Sequence, residues 1–166
     1  FAAQLLVKDL LLQKKVCFDT ETTSLDALQA ELVGIAFSWE KGKGYYLVLP
    51  EDYQQALAVL QPFIAFFEHP EIEKVGHNLK YDLKVLRNYT IDVKGPLFDN
   101  MIAHYLVNPD MRHNMDILAE TYLNYSPQSI TELIGKKGKD QRTMREVAES
   151  DQTEYAVEDA DITFQL

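Results

Sequence analysis

The sequence predicts an α/β fold: a mixed β-sheet, three of whose strands are antiparallel neighbours, flanked by helices. Three observations carry this expectation. The first third of the chain alternates apolar and polar residues with a period of two, and most of the remainder recurs at helical spacing. Between them a short apolar run, Lys74-Val75-Gly76-His77, reads as one further strand. Three strands, a helix, a strand and then helices is the order of a sheet covered by helices on its faces.

Val16-Cys17-Phe18 opens the first strand, which ends in Asp19-Thr20-Glu21 and is expected to be central. Residues 31–38 form the second strand and 44–49 the third, with Gly42-Lys43-Gly44 as the turn between them. Pro50-Glu51-Asp52 opens a helix in which Leu57, Leu60, Ile64 and Phe67 share one face, until His69-Pro70 stops it. Residues 78–88 repeat the pattern through Leu79, Leu83 and Leu86. Asp99 is placed to cap a helix over 101–106, which Asn108-Pro109 ends. Further helical segments are expected at 115–122, 143–148 and 153–166, with a turn at 129–134 and a glycine- and lysine-rich loop between. Asp151 and Glu154 have the spacing of a capping box for the last helix. With no internal repeat, low-complexity tract or linker, residues 1–166 read as a single domain.

Composition narrows the function classes. A chain of 166 residues, 46% apolar and 25% charged, is of ordinary globular type and buries ~70% of its unfolded surface without help from disulfides or structural zinc. Cys17, the lone cysteine, excludes an internal disulfide and reads as an inert core residue of a cytoplasmic protein. No apolar run approaches the ~18 residues of a membrane span, and Phe1-Ala2-Ala3-Gln4-Leu5-Leu6 lacks the charged region of a signal peptide, so no membrane partner is expected. The chain opens without Met and closes inside a helical pattern, which reads as a piece of a longer polypeptide. A net charge of -10 argues against a self-sufficient nucleic-acid binder. Bound divalent cations would offset that charge, and basic clusters exist at Lys80, Lys84 and Arg87 and at Lys136, Lys137, Lys139, Arg142 and Arg145.

Three short segments each place two functional side chains on one face. Asp19 and Glu21, two apart at a strand end, aim their carboxylates the same way, ~7 Å apart. Asn78/Asp82 and Tyr155/Asp159 stand four apart on helices, within ~6 Å at Cβ. Each pair alone has a plain structural account: a solvated strand end, a cap with a first-turn carboxylate favoured by the helix dipole, or one crowded acidic helix. Glu158 and Asp161 read as surface charges, pointing away from the Tyr155/Asp159 face. Hard divalent cations take oxygen ligands of this kind. Other chemistries lack support. Gly135-Lys136-Lys137-Gly138-Lys139 misses the frame of a phosphate-binding loop, and His69, His77, His104 and His113 show no zinc spacing. His104 reads as a hydrogen-bonded core histidine.

Together, Phe-Asp-Thr-Glu-Thr at 18–22, Gly-His-Asn-Leu-Lys-Tyr-Asp at 76–82 and Tyr-Ala-Val-Glu-Asp-Ala-Asp at 155–161 resemble the three motifs of the DEDD exonuclease superfamily. The tyrosine four residues before the last aspartate marks the DEDDy branch. Within it the chain is most similar to the 3′-5′ proofreading exonuclease domains of bacterial DNA polymerase I, from about Val16 to Leu166. The resemblance implies a ribonuclease H-like fold and hydrolysis of the 3′-terminal phosphodiester of single-stranded or frayed DNA. It also implies two divalent metal ions, Mg²⁺ or Mn²⁺, with Zn²⁺ an option at one site, and a polymerase domain in the same parent chain. Carried over by position, it makes Asp19, Glu21, Asp82 and Asp159 metal ligands and Tyr155 the residue that orients the attacking water. Leu25, as an apolar wedge, and Asn78 would touch the terminal nucleotide, while Arg112 and Ile130 would make further strand contacts. Thr23 and His77 depart from the best-known family member, which has aspartate and glutamine there. An RNA-trimming enzyme of the ribonuclease D type is the alternative substrate reading, and a non-catalytic module the third, which the presence of all four carboxylates disfavours.

Overall fold

The computed structural model describes residues 2–166; Phe1, which begins the amino-terminal stretch read above for a leader, lies outside the described residues. Along the chain run α1 (Ala2–Leu11), β1 (Lys15–Thr22), β2 (Leu32–Glu40), β3 (Lys43–Val48), α2 (Tyr53–Leu60), α3 (Ile64–Phe67), β4 (Glu73–Gly76) and α4 (Leu79–Asn88). β5 (Leu97–Asp99), α5 (Asn100–Val107), α6 (Met115–Leu118), α7 (Ile130–Ile134) and α8 (Glu149–Gln165) follow. The sheet has the order β3-β2-β1-β4-β5. β1 pairs antiparallel with β2, and β2 with β3, whereas β4 lies parallel to β1 and β5 parallel to β4. The mixed sheet is the one expected, with β1 at its centre. α1 and β5 had no visible signature: α1 buries only Val7 and Leu10, and β5 is three residues long with Leu97 and Phe98 exposed.

Alternation along β1 and β2 divides the sheet's two faces. Phe18, Ile35 and Phe37 face the main core, where Phe63, Phe66 and Phe67 cover them. Phe18 meets Phe67 edge-on with centroids 5.3 Å apart, and Phe37 stacks on Phe63 at 5.8 Å. Each of these rings is fully buried, so each contributes roughly 1.5–3 kcal/mol by removal from water, and truncating one to alanine costs about 3–5 kcal/mol.

The opposite face carries α8, and small residues set how closely it lies. Ala156 and Ala160, one turn apart, pack on Ala36 of β2. A Cβ added to Gly44 on β3 would stand 2.8 Å from the Val157 side chain. This approach brings the next residues along α8 down to the level of the β1 carboxylates.

Three local expectations are corrected. The β2–β3 turn is Lys41-Gly42, with Gly42 at φ +77° and its N–H donating to Asp161 Oδ1 at 2.8 Å, while Gly44 belongs to β3. α8 starts at Glu149 rather than 153, and Asp151/Glu154 form no capping box. Buried Gln152 sets that start: its amide donates to the carbonyls of Met144 and Val147 at 3.0 and 2.9 Å and accepts from the Tyr46 hydroxyl. The capping box occurs instead at Thr143/Glu146, around a single 3₁₀ turn. The helix expected over 115–122 is α6 followed by a π-helical turn, Ala119–Leu123. Cys17 is buried, as expected. Among the described residues no helix is long and apolar enough to cross a membrane.

Candidate active site

Asp19 and Glu21 project from β1 on the side that faces α8. Their register partners on β2 are Ala36 and Gly34, and over Gly34 lies the Tyr46 ring, whose hydroxyl a Cβ placed there would strike. From α8, Asp159 descends to meet them, with Tyr155 one turn earlier. One carboxylate oxygen from each of Asp19, Glu21 and Asp159 lies within 4.8 Å of the others. Glu21 and Asp159 are 5% and 8% exposed, and Glu21 Oε1 and Asp159 Oδ1 are buried without a hydrogen-bond partner.

Asp82 belongs to the same neighbourhood but stands outside that trio. Thr20, between the two β1 carboxylates, points to the other face of the sheet, and it is Thr20 that α4 meets. The Thr20 backbone N–H and hydroxyl donate to Asp82 Oδ1 at 3.1 and 2.5 Å. Asp82, 3% exposed, thus reaches the end of β1 from the side opposite α8. The start of α4 is pinned by Asp99, whose carboxylate accepts from the N–H groups of Asn78 (3.1 Å) and Leu79 (2.8 Å) while capping α5 through Met101 and Ile102. Asn78 precedes the helix in the left-handed region at φ 64°, and its side chain makes no cap, contrary to the capping account of its position. The expected Asp99 cap of α5 is present.

Crowding governs the electrostatics. Burial, then the charge of Asp159, pushes the Asp19 carboxyl up to about 8. Burial pushes Asp159 up to about 7, with Glu158 and Asp116 adding to the rise and the Tyr155 hydroxyl opposing it. Glu21 is raised well above the usual carboxylate range by burial and by Asp19, Asp159 and Asp82. Asp82 is raised by burial and by Asp19, against the two Thr20 hydrogen bonds. Burial, then Asp159, also raises Tyr155, so it remains a neutral phenol. Acceptor-only oxygens held this close, two of them without partners, match the donor set of a hard divalent cation. A cation there would relieve the repulsion and satisfy Glu21 Oε1 and Asp159 Oδ1, so the residues fit the expected metal.

The strand-contact candidates lie around this cluster rather than in it. Leu25 is 94% exposed after β1, and the Tyr81 hydroxyl bonds the Ser24 carbonyl and Thr22 Oγ1 in that same segment. Asn78 is exposed at the start of α4, and Arg112 is exposed between α5 and α6. Ile130, 38% exposed, begins α7, whose Leu133 packs with Val33, Met144 and Val147 against Tyr155.

Sequence reasoning overlooked Thr20 and underrated several charged residues. Glu158 is not a free surface charge: it accepts from the Tyr125 hydroxyl and the Gln128 N–H. Asp161 holds Gly42. Arg145 is no part of an open basic surface, because it donates to the carbonyls of Leu49 and Leu32 at 3.1 and 2.6 Å. Arg87 pairs with Asp92, whereas Lys80 and Lys84 are exposed on α4. His104 is buried and shares a 2.7 Å Nδ1···Nδ1 hydrogen bond with His113, as expected of a core histidine.

Comparison with known proteins gives the family and the fold. A family model described as 3′-5′ exonuclease matches residues 1–166. DNA polymerase I of Pseudomonas aeruginosa is 38% identical over 160 residues, covering 91% of this chain and 17% of that protein. The chain therefore spans about a sixth of the length of such a relative. Among solved structures, Brucella melitensis NrnC with bound Mg²⁺ superposes with a TM-score of 0.74 at 22% identity, over 95% of this chain and 71% of that one. Escherichia coli RNase D, an exoribonuclease involved in structured RNA processing, gives 0.72 at 20% identity, over 97% and 40%. These likenesses show the fold, that of the ribonuclease H-like exonucleases.

Proposed function

This chain belongs to the 3′-5′ exonuclease family, and we propose that it hydrolyses the 3′-terminal phosphodiester of single-stranded or frayed DNA, releasing nucleoside 5′-monophosphates. The observation that carries the reading is the trio of half-buried Asp19 and buried Glu21 and Asp159, each bringing one carboxylate oxygen within 4.8 Å of the others, with Glu21 Oε1 and Asp159 Oδ1 buried and unpartnered. Asp19, Glu21 and Asp159 would hold one divalent cation, and Asp82 with Asp19 a second. Two such ions supply charge relief to both the attacking and the leaving oxygen of an in-line displacement.

The chain's own groups do the positioning. Tyr155, a neutral phenol, directs its hydroxyl beside Asp159 and, with the Glu21 carboxylate, orients the attacking water. Leu25 is exposed enough to wedge against the last base, and Asn78, exposed at the start of α4, would contact the terminal nucleotide. Arg112 supplies a cation to a backbone phosphate, and Ile130 an apolar contact to the strand. A pocket that takes only an unpaired end favours mismatched termini, because they unpair at lower cost. That preference is what proofreading requires, and we infer a single exonuclease domain working beside a polymerase in the same polypeptide, as the polymerase relatives suggest.

The test is degradation of matched 3′-labelled single-stranded DNA and RNA with Mg²⁺ or Mn²⁺. Stepwise release of deoxynucleoside 5′-monophosphates, stopped by chelation and faster than on RNA, is the expected result. Faster RNA trimming would move the substrate to the ribonuclease D type, since the 2′-hydroxyl is the discriminating group. No turnover of either, with no cation bound at millimolar concentration, would leave a structural module.

A further inference from the structure

Glu158 immediately precedes Asp159 on α8 and points away from the carboxylate cluster. Its two oxygens are both engaged: Oε1 accepts from the Tyr125 hydroxyl at 2.5 Å, and Oε2 from the Gln128 backbone N–H at 2.8 Å. Residues 124–129 have no regular structure to hold them, and Asn124 turns the chain through the left-handed region at φ 52°. They leave the π-helical turn Ala119–Leu123 and run into α7, which Ser129 caps. The same stretch of chain is fixed to α8 a second time, one turn earlier, where Leu133 and its apolar cluster pack against Tyr155. Ile130 lies between these two attachments, partly exposed.

We propose that Glu158 is a positioning residue for exonuclease substrate, its carboxylate clamping residues 125–130 onto α8 so that Ile130 stands at a fixed place relative to Tyr155 when the strand end binds. The inference rests on the exonuclease reading and adds to it a residue that touches neither the cations nor the strand. Hydrogen bonds to an ionised carboxylate are stronger than neutral ones, and one side chain serving two donors orders a loop that the backbone alone would leave loose. Because the clamp acts on strand placement, its loss should appear in KM and not in kcat.

The experiment compares wild type with Glu158→Ala and Glu158→Gln. Gln keeps the shape; its amide oxygen can accept from Gln128 N–H, and its NH₂ can donate to the Tyr125 hydroxyl, which is free to rotate. Glu158→Ala is expected to raise KM for single-stranded DNA about five- to tenfold, only part of the clamp's net contribution because the packing of Leu133 on Tyr155 still holds the segment, with kcat within about twofold. Amide hydrogen exchange at 125–130 should quicken while Mn²⁺ affinity stays the same. Glu158→Gln should restore both KM and protection. Three results would overturn the clamp: Ala and Gln variants alike, with a shifted pH profile of kcat, which would mean that Glu158 acts through its charge on Asp159; faster exchange with KM unmoved; or a lower Tm with unaltered kinetics. Exchange is read without turnover, so an inactive wild type would sink the exonuclease reading and leave the loop result standing.

Discussion

The carboxylate cluster and the segment from 108 to 148 are built by opposite means. Asp19, Glu21, Asp82 and Asp159 sit on β1, α4 and α8, regular elements locked by the sheet, by the Ala36/Ala156/Ala160 contact and by Thr20. Residues 108–148 string together α6, a π-turn, α7 and one 3₁₀ turn, and they carry the exposed Arg112 and Ile130. On the proposed reading, the chemistry and the strand contacts of Arg112 and Ile130 rest on separate parts of the molecule, and kinetics should separate them. Asp19→Ala is expected to lower kcat by more than about 10²-fold, the scale of losing one preorganised electrostatic partner, with the circular dichroism spectrum unchanged. Arg112→Ala should raise KM a few-fold, as the loss of one exposed phosphate contact does, and leave kcat alone. A large kcat defect in Arg112→Ala, or undiminished degradation by Asp19→Ala, would erase the distinction.

Within the cluster the difference between its two sides can be sharpened through Thr20. Three carboxylates meet on the α8 face, whereas Asp82 arrives from the α4 side and is held by Thr20. Thr20→Val removes the hydroxyl donor, keeps the shape and leaves the backbone N–H. A hydrogen bond to a charged group is worth about 1.5–3 kcal/mol, so activity should fall roughly ten- to a hundredfold. Mn²⁺ titration should show weakened binding of one equivalent while the other is kept, and Thr20→Ser should recover both. Equal weakening of both equivalents would mean that Asp82 and the trio form one indivisible site.

The same contrast explains what was legible in the sequence. Alternation along 16–22 placed Asp19 and Glu21 on one side of a central strand, and a four-residue spacing placed Tyr155 and Asp159 on one side of a helix; both hold in the structure. Asp82 was read correctly onto a helix, but no local pattern tells which face of the sheet that helix will cover, so the Thr20 contact, 62 residues away in the chain, stayed hidden. Glu158 and Arg145 were misread for a related reason. Their partners, the Tyr125 hydroxyl and Gln128 N–H for Glu158 and the carbonyls of Leu32 and Leu49 for Arg145, lie far off in the chain, and composition carries no record of such contacts. β5 was missed because its pairing with β4 fixes it, not any alternation of its own three residues.

The smallest expected effect concerns stability, and it again sets the cluster apart from the segment 108–148. In the folded, cation-free protein burial and the Asp159 charge push Asp19 up to about 8, and burial pushes Asp159 up to about 7. In the unfolded chain both titrate near the ordinary carboxylate value of about 4. Below pH ~4 both states carry the protons and nothing is gained or lost. Between about 4 and 8 the folded state keeps protons that the unfolded chain has released, so stability falls as pH rises and levels off above the folded values. His77, lowered by burial, works in the opposite sense near and below its ordinary value of about 6.5. Lys74, lowered by burial to about 8, opposes the decline around that pH. The carboxylate contribution from pH 7 to 8.5 is therefore read as the difference between wild type and Asp19→Asn, in which the other groups cancel. Over that range the carboxylates should cost the chelator-treated protein a few degrees of Tm, on the scale of about 1 kcal/mol for a chain of this size. Asp19→Asn should flatten the slope, and Arg112→Ala should not. Cations need the ionised carboxylates, so Mn²⁺ should bind more tightly as pH rises, release protons on binding and abolish the decline when saturating. A cation-free Tm whose slope from pH 7 to 8.5 is the same in wild type and Asp19→Asn would mean that the three carboxylates do not share the crowded, water-poor space that the exonuclease reading requires.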